Sequence, residues 1–131
     1  AGHDGGLVLG AHLAHLDERV DEHAEAGVGR HAPGARVRLR EIAGLLEIGD
    51  IRIAAVNAEV FNPIAQRLKR ESPYAGTIMA TLTNGMARSG YIPHDAGFGM
   101  YTFEVLSSRL QPGCAESAIV DGLLDLMSQG G

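Results

Sequence analysis

Two apolar runs separated by an amphipathic stretch constrain this chain more than any other feature. Ile51-Arg52-Ile53-Ala54-Ala55-Val56 is short and apolar and follows an Ile48-Gly49-Asp50 turn, so it reads as a strand buried on at least one face. Gly76-Thr77-Ile78-Met79-Ala80-Thr81-Leu82-Thr83 is apolar and β-branched, closes on an Asn84-Gly85 turn, and reads as a second buried strand. Between them, Glu59 to Arg70 puts Val60, Phe61, Ile64, Ala65 and Leu68 on one helical stripe. Proline is tolerated only in a first turn, so Pro63 sets the start of that helix, near Glu59 or later, with Asn62 as its cap. Strand, helix and strand with a buried sheet imply a right-handed parallel crossover.

The remaining segments extend this unit. Leu9, Leu13, Leu16, Val20 and Ala24 recur at helical spacing, which predicts an amphipathic helix over residues 7–25 ending in Gly27-Val28-Gly29. Arg36-Val37-Arg38-Leu39-Arg40 alternates charged and apolar side chains, as a half-exposed or edge strand does. Tyr101-Thr102-Phe103-Glu104-Val105 alternates as well and reads as a further strand. Ala115, Ile119, Leu123 and Leu126 form a closing helical stripe, entered through Pro112-Gly113 and ended by Gly130-Gly131. The expectation is an α/β fold, a mixed sheet of about four strands with about three helices. At 131 residues the chain can form one domain and not two. It starts at Ala1-Gly2-His3 without an initiator Met, so residues 1–131 are expected to be a single domain or a fragment of something longer.

Composition narrows the function classes. Eleven Lys and Arg stand against sixteen Asp and Glu, a net charge of −5, and Lys69-Arg70 is the one adjacent basic pair, so nucleic acid is not an expected partner. No apolar run approaches the roughly 18 residues of a transmembrane span, and no address fixes a localisation. A single cysteine, Cys114, excludes an internal disulfide and a cysteine zinc cluster, and reads as a small buried residue. No serine lies in a Gly-x-Ser-x-Gly elbow, and the glycines at 85, 90, 97 and 99 match neither a phosphate loop nor a dinucleotide fingerprint.

In open α/β sheets, ligands gather where strands end at their carboxyl side. Two places qualify: Val56-Asn57-Ala58-Glu59 and the loop from Asn84 to Pro93. By residue type alone Glu59 is more readily explained as an acid favoured at a helix start, and Tyr91 as a packing residue. His94-Asp95 follows Tyr91-Ile92-Pro93 and is placed to bind or orient a substrate, with a solvated pair as the alternative. His12 and His15 would share a helix face with Arg19, a spacing that usually marks a solvated surface.

The ordered series Ile48-Gly49-Asp50-Ile51-Arg52-Ile53, Glu59-Val60-Phe61, Ser72-Pro73, Ala80-Thr81-Leu82-Thr83-Asn84-Gly85, Gly90-Tyr91-Ile92-Pro93, Phe103-Glu104-Val105 and Pro112-Gly113 resembles the end of the catalytic domain of the neutral/alkaline non-lysosomal ceramidases and their bacterial relatives. The resemblance covers about residues 45–127. It implies a zinc-dependent amide hydrolase that cleaves an N-acyl, ceramide-like lipid by metal-activated water. Two histidines from early in the family's chain and a late glutamate and tyrosine hold the metal. Position by position, the glutamate falls on Glu59 and the tyrosine on Tyr91. The histidine ligands would come from an upstream part of the same polypeptide, so the 131 residues alone are expected to be inactive and, with apolar strand edges bared, to self-associate. Two departures stand out: Asn57-Ala58 replaces the family's usual Pro-Gly, and the loop from Asn84 to Tyr91 is longer. The first is the sequence hint for the alternative, a non-catalytic binding or assembly module that retains the fold.

Overall fold

A computed structural model of the chain describes residues 9–21, 36–86 and 89–129, with side chains described at 10–11, 42–86 and 89–129. Four strands, β1 (Leu9–Asp21), β2 (Arg36–Ile48), β3 (Ile51–Val56) and β5 (Gly76–Ala80), form one sheet in the order β1-β2-β3-β5. A separate two-residue pair joins β4 (Glu59–Val60) to β6 (Tyr91–Ile92). The helices are α1 (Asn62–Glu71), the one-turn α2 (Phe103–Ser107) and α3 (Ala115–Gln129), with a 3₁₀ turn at Asp95–Gly99. The fold is therefore α/β, with a mixed sheet and three α-helices.

The crossover is where the apolar runs put it. β3 runs parallel to β5, from Ile51 opposite Gly76 to Ala55 opposite Ala80, and α1 connects them. β2 and β3 form an antiparallel hairpin through Gly49, whose φ of 57° is a left-handed value that a glycine adopts without strain.

Five expectations are corrected. The helix over 7–25 is the strand β1 at residues 9–21, paired residue for residue with β2 from Leu9–Ile48 to Asp21–Arg36. A long-range ladder of thirteen residues overrides a local helical period. The strand over Tyr101–Val105 is instead the start of α2, because the Thr102 hydroxyl accepts the Val105 N–H at 3.4 Å and caps a helix. The helix after β3 begins at Asn62, so its N-cap is Phe61 rather than Asn62, and Glu59 and Val60 are extended. Cys114 is exposed, not buried. The strand from Gly76 also ends early, at Ala80, where Leu82 and Asn84 turn the chain with φ of 55° and 59°.

The core lies on one face of the sheet. Ala43 and Leu45 of β2 and Ala54 and Val56 of β3 pack against Ile64 and Leu68 of α1 and Ile119, Val120, Leu123 and Met127 of α3, all buried. Each Val, Leu, Ile or Met side chain among them contributes about 1.5–3 kcal/mol by leaving water. Arg67 joins the two helices: it bonds Glu71 of its own helix at 2.8 Å, and reaches Ser117 at 3.3 Å and Glu116 at 3.6 Å on α3. The hydrogen bond to Glu71, more than the added carboxylates of Glu116 and Asp121, holds its guanidinium pKa above the ordinary value. Among the described side chains, the opposite face of β2, β3 and β5 carries exposed apolar residues, with Leu46, Ile51 and Ile78 exposed by 40%, 43% and 50%. A trough of about 420 Å³ runs across that face over Gly44, Ala55 and Ala80. No helix among the described residues is long and apolar enough to cross a membrane.

Candidate functional site

Glu59 and Tyr91 are direct partners in the parallel β4–β6 pair, and Val60 is opposite Ile92. Paired strands lie about 4.8 Å apart and side chains alternate between faces, so the side chains of Glu59 and Tyr91 leave the backbone on the same side of the pair. Ile92, on the other side, is fully buried, and Val60 packs on the core. Consequently the Glu59–Tyr91 side is the outer one: Glu59 is exposed and Tyr91 half-buried.

Local bonds explain why the chain is extended at Glu59 instead of entering a helix at once. The Asn57 N–H donates to the Ile42 carbonyl at 3.3 Å, and its side-chain Oδ1 accepts the Ile42 N–H at 3.0 Å. The loop after β5 is stitched to the same corner. Thr83 donates to the Val56 carbonyl through its N–H at 3.1 Å and its hydroxyl at 3.0 Å, and the Leu82 N–H donates to the Ala58 carbonyl at 3.1 Å. Left-handed Leu82 and Asn84 are part of this stitch, and strained backbone of that kind persists where surrounding contacts over-determine it.

Tyr91 is held from several directions. The Phe61 N–H donates to the Ile92 carbonyl at 3.0 Å, the Ser108 hydroxyl donates to the Tyr91 carbonyl at 2.7 Å, and Phe103 meets the Tyr91 ring edge-on with centroids 6.1 Å apart. Beyond it, the Asp95 N–H donates to Glu116 Oε2 at 2.7 Å and Asp95 Oδ1 accepts the Gly113 N–H at 2.9 Å, tying the segment to the start of α3. Nothing in the sequence marks Ser108, Phe103 or Glu116 as supports of Tyr91. Glu116 alone carried a signal, as an acid in a first helical turn.

His94, the candidate substrate-binding residue, lies three residues beyond Tyr91 with its ring 6.2 Å from that of Phe61. Its Nδ1 is buried without a hydrogen-bond partner, and Gly97 sits so close that a β-carbon there would stand 2.8 Å from that nitrogen. The structure thus brings Glu59 and Tyr91 together and sets His94 against the entrance to α1. The side chains of His12 and His15 lie outside the described residues, and their backbone is in β1.

The donor set suits a divalent cation in part. A carboxylate and a phenol on one outward face are two oxygen donors, and zinc takes carboxylate oxygen together with imidazole nitrogen. Among the described residues, no group of three His, Cys, Asp or Glu converges, so any complete shell would draw ligands from beyond them. Comparisons with family models, curated proteins and solved structures returned no match.

Proposed function

We propose that this chain is part of a zinc-dependent amide hydrolase of the neutral ceramidase type, with Glu59 and Tyr91 as two of the metal's ligands. The observation that supports this reading is the in-register pairing of those two residues on the outer side of β4 and β6. Two histidines from an upstream part of the same polypeptide complete the shell, and an N-acyl lipid is the substrate. Zinc bound there supplies Lewis acidity that activates water toward an amide carbonyl. The chain's own residues do the positioning. With zinc bound, Glu59 would offer carboxylate oxygen and Tyr91 phenolate oxygen. The Asn57 and Thr83 bonds hold the corner that presents Glu59, and Ser108 and Phe103 hold Tyr91. His94 serves as a substrate-side group beside Phe61.

The test is bound zinc and amide hydrolysis in the polypeptide that carries this chain, compared with Glu59→Ala and Tyr91→Phe. Loss of zinc and activity in both variants supports the reading, whereas unchanged zinc in both rejects it. The isolated 131 residues are expected to show no hydrolysis.

A second reading, a non-catalytic binding or assembly module, is favoured by one observation. The Asn57-Ala58 corner is closed by an asparagine side chain, which keeps the fold without reference to any ligand. The upstream sequence separates the two: a pair of metal-spaced histidines favours the enzyme.

A further inference from the structure

Glu116 has a second task besides sitting in the first turn of α3. An acid there is ordinarily explained by the helix dipole, yet its two oxygens are aimed away from its own helix. Oε2 accepts the Asp95 main-chain N–H at 2.7 Å, across twenty-one residues, and Oε1 faces the Arg67 guanidinium of α1 at 3.6 Å. The Glu116 side chain is 15% exposed, so this bond is shielded from water. The accepted N–H belongs to the segment that continues directly from Tyr91 through Ile92 and the buried Pro93, and the Asp95 carboxylate fastens the same segment to Gly113 at 2.9 Å. On the other flank, the Ser108 hydroxyl holds the Tyr91 carbonyl at 2.7 Å. Tyr91 is therefore clamped between two anchors, of which Glu116 is the one built into the α1–α3 core.

We infer that Glu116 is a positioning residue for the Tyr91 phenol: by holding the Asp95 amide against α3 and Arg67, it sets the depth at which Tyr91 stands beside Glu59. This rests on the proposed role of Tyr91 as a metal ligand. Partners hydrogen-bonded to a ligating side chain are worth about 10–100-fold in metal affinity, and Glu116, which acts through the Asp95 main chain, stands at or below the lower end of that range.

The experiment is zinc titration of the full polypeptide, read both as affinity and as the near-ultraviolet signal of tyrosinate formation. Glu116→Ala should weaken zinc by up to about 10-fold and diminish the tyrosinate signal. Glu116→Gln keeps an oxygen that can accept the Asp95 N–H and should restore most of both. Ser117→Ala, which removes only the Arg67–Ser117 bond on the same seam, should change neither. If Glu116→Ala fails to fold, Asp95→Pro removes the donor instead and is compared with Asp95→Ala, which keeps the N–H; Asp95→Pro should be the weaker binder. Wild-type zinc affinity in folded Glu116→Ala, or equal affinity in the two Asp95 variants, overturns the inference. Should Glu59→Ala and Tyr91→Phe also bind zinc like the wild type, the failure belongs to the proposed function instead.

Discussion

Asn57 satisfies both main-chain groups of Ile42, its N–H donating to the Ile42 carbonyl at 3.3 Å and its Oδ1 accepting the Ile42 N–H at 3.0 Å. The β2–β3 ladder ends at Ala43 opposite Val56, so Asn57 extends the pairing by one residue, its side-chain Oδ1 standing in for its main-chain carbonyl. It then frees the chain to turn toward Glu59. Asn57→Ala leaves a half-buried N–H unpartnered and should cost about 1–2 kcal/mol in denaturant unfolding. Asn57→Pro also removes the donor and should cost more. Equal stability of Asn57→Ala and the wild type would show that water replaces the bond at no cost.

Glu47 and Arg52 face each other across β2 and β3, 2.9 Å apart and both buried, and the Arg52 guanidinium lies over the Tyr74 ring at 3.8 Å. Removing one member of a buried pair strands the other charge and typically costs about 3–5 kcal/mol, whereas replacing both with apolar groups is often neutral. Glu47→Leu alone should therefore lower the unfolding midpoint sharply, and Glu47→Leu with Arg52→Met should recover most of the loss. Additive effects in this double-mutant cycle would deny the coupling.

Gly97 leaves no room for a side chain, since a β-carbon would meet His94 Cε1 at 2.6 Å and Nδ1 at 2.8 Å. Gly97→Ala should cost about 1–3 kcal/mol, the usual penalty of overpacking. The penalty should shrink when His94 is also replaced by Ala. A thermal melt of the two single variants and the double reads this directly, and an undiminished penalty in the double variant would place the strain elsewhere.

On the open face of the sheet, Leu46 and Ile78 are 40% and 50% exposed, and the described residues lining the trough beside Leu46 carry no charge. Apolar surface of this kind drives association when nothing covers it. Ile78→Lys should shift sedimentation of the isolated chain toward the monomer with little change in unfolding midpoint. A wild-type chain that is already monomeric at high concentration would show that the face is tolerated in water.

What could be read in advance follows from how local the signal was. Ile51–Val56 and Gly76–Ala80 are short apolar runs around a helix with a continuous buried stripe of Ile64 and Leu68, and such a unit announces itself through its own side chains. β1 did not, because Leu9, Leu13 and Leu16 suit a helix and only the thirteen-residue ladder with β2 decides otherwise. Thr102 illustrates the opposite error: a short alternating run was outweighed by one hydroxyl capping Val105. For the candidate site, Glu59 and Tyr91 were expected at one rim, but their pairing as neighbouring strands was not legible. Two-residue strands have no period, and theirs exist because Asn57, Thr83 and Phe61 make bonds to distant backbone.

The measurement that tests the central claim most directly is the near-ultraviolet difference spectrum of the full polypeptide during zinc titration. The account predicts one tyrosinate per bound zinc, abolished by Tyr91→Phe and by no substitution of Tyr74 or Tyr101. Zinc bound tightly with no tyrosinate, or a tyrosinate signal that survives in Tyr91→Phe, would contradict it.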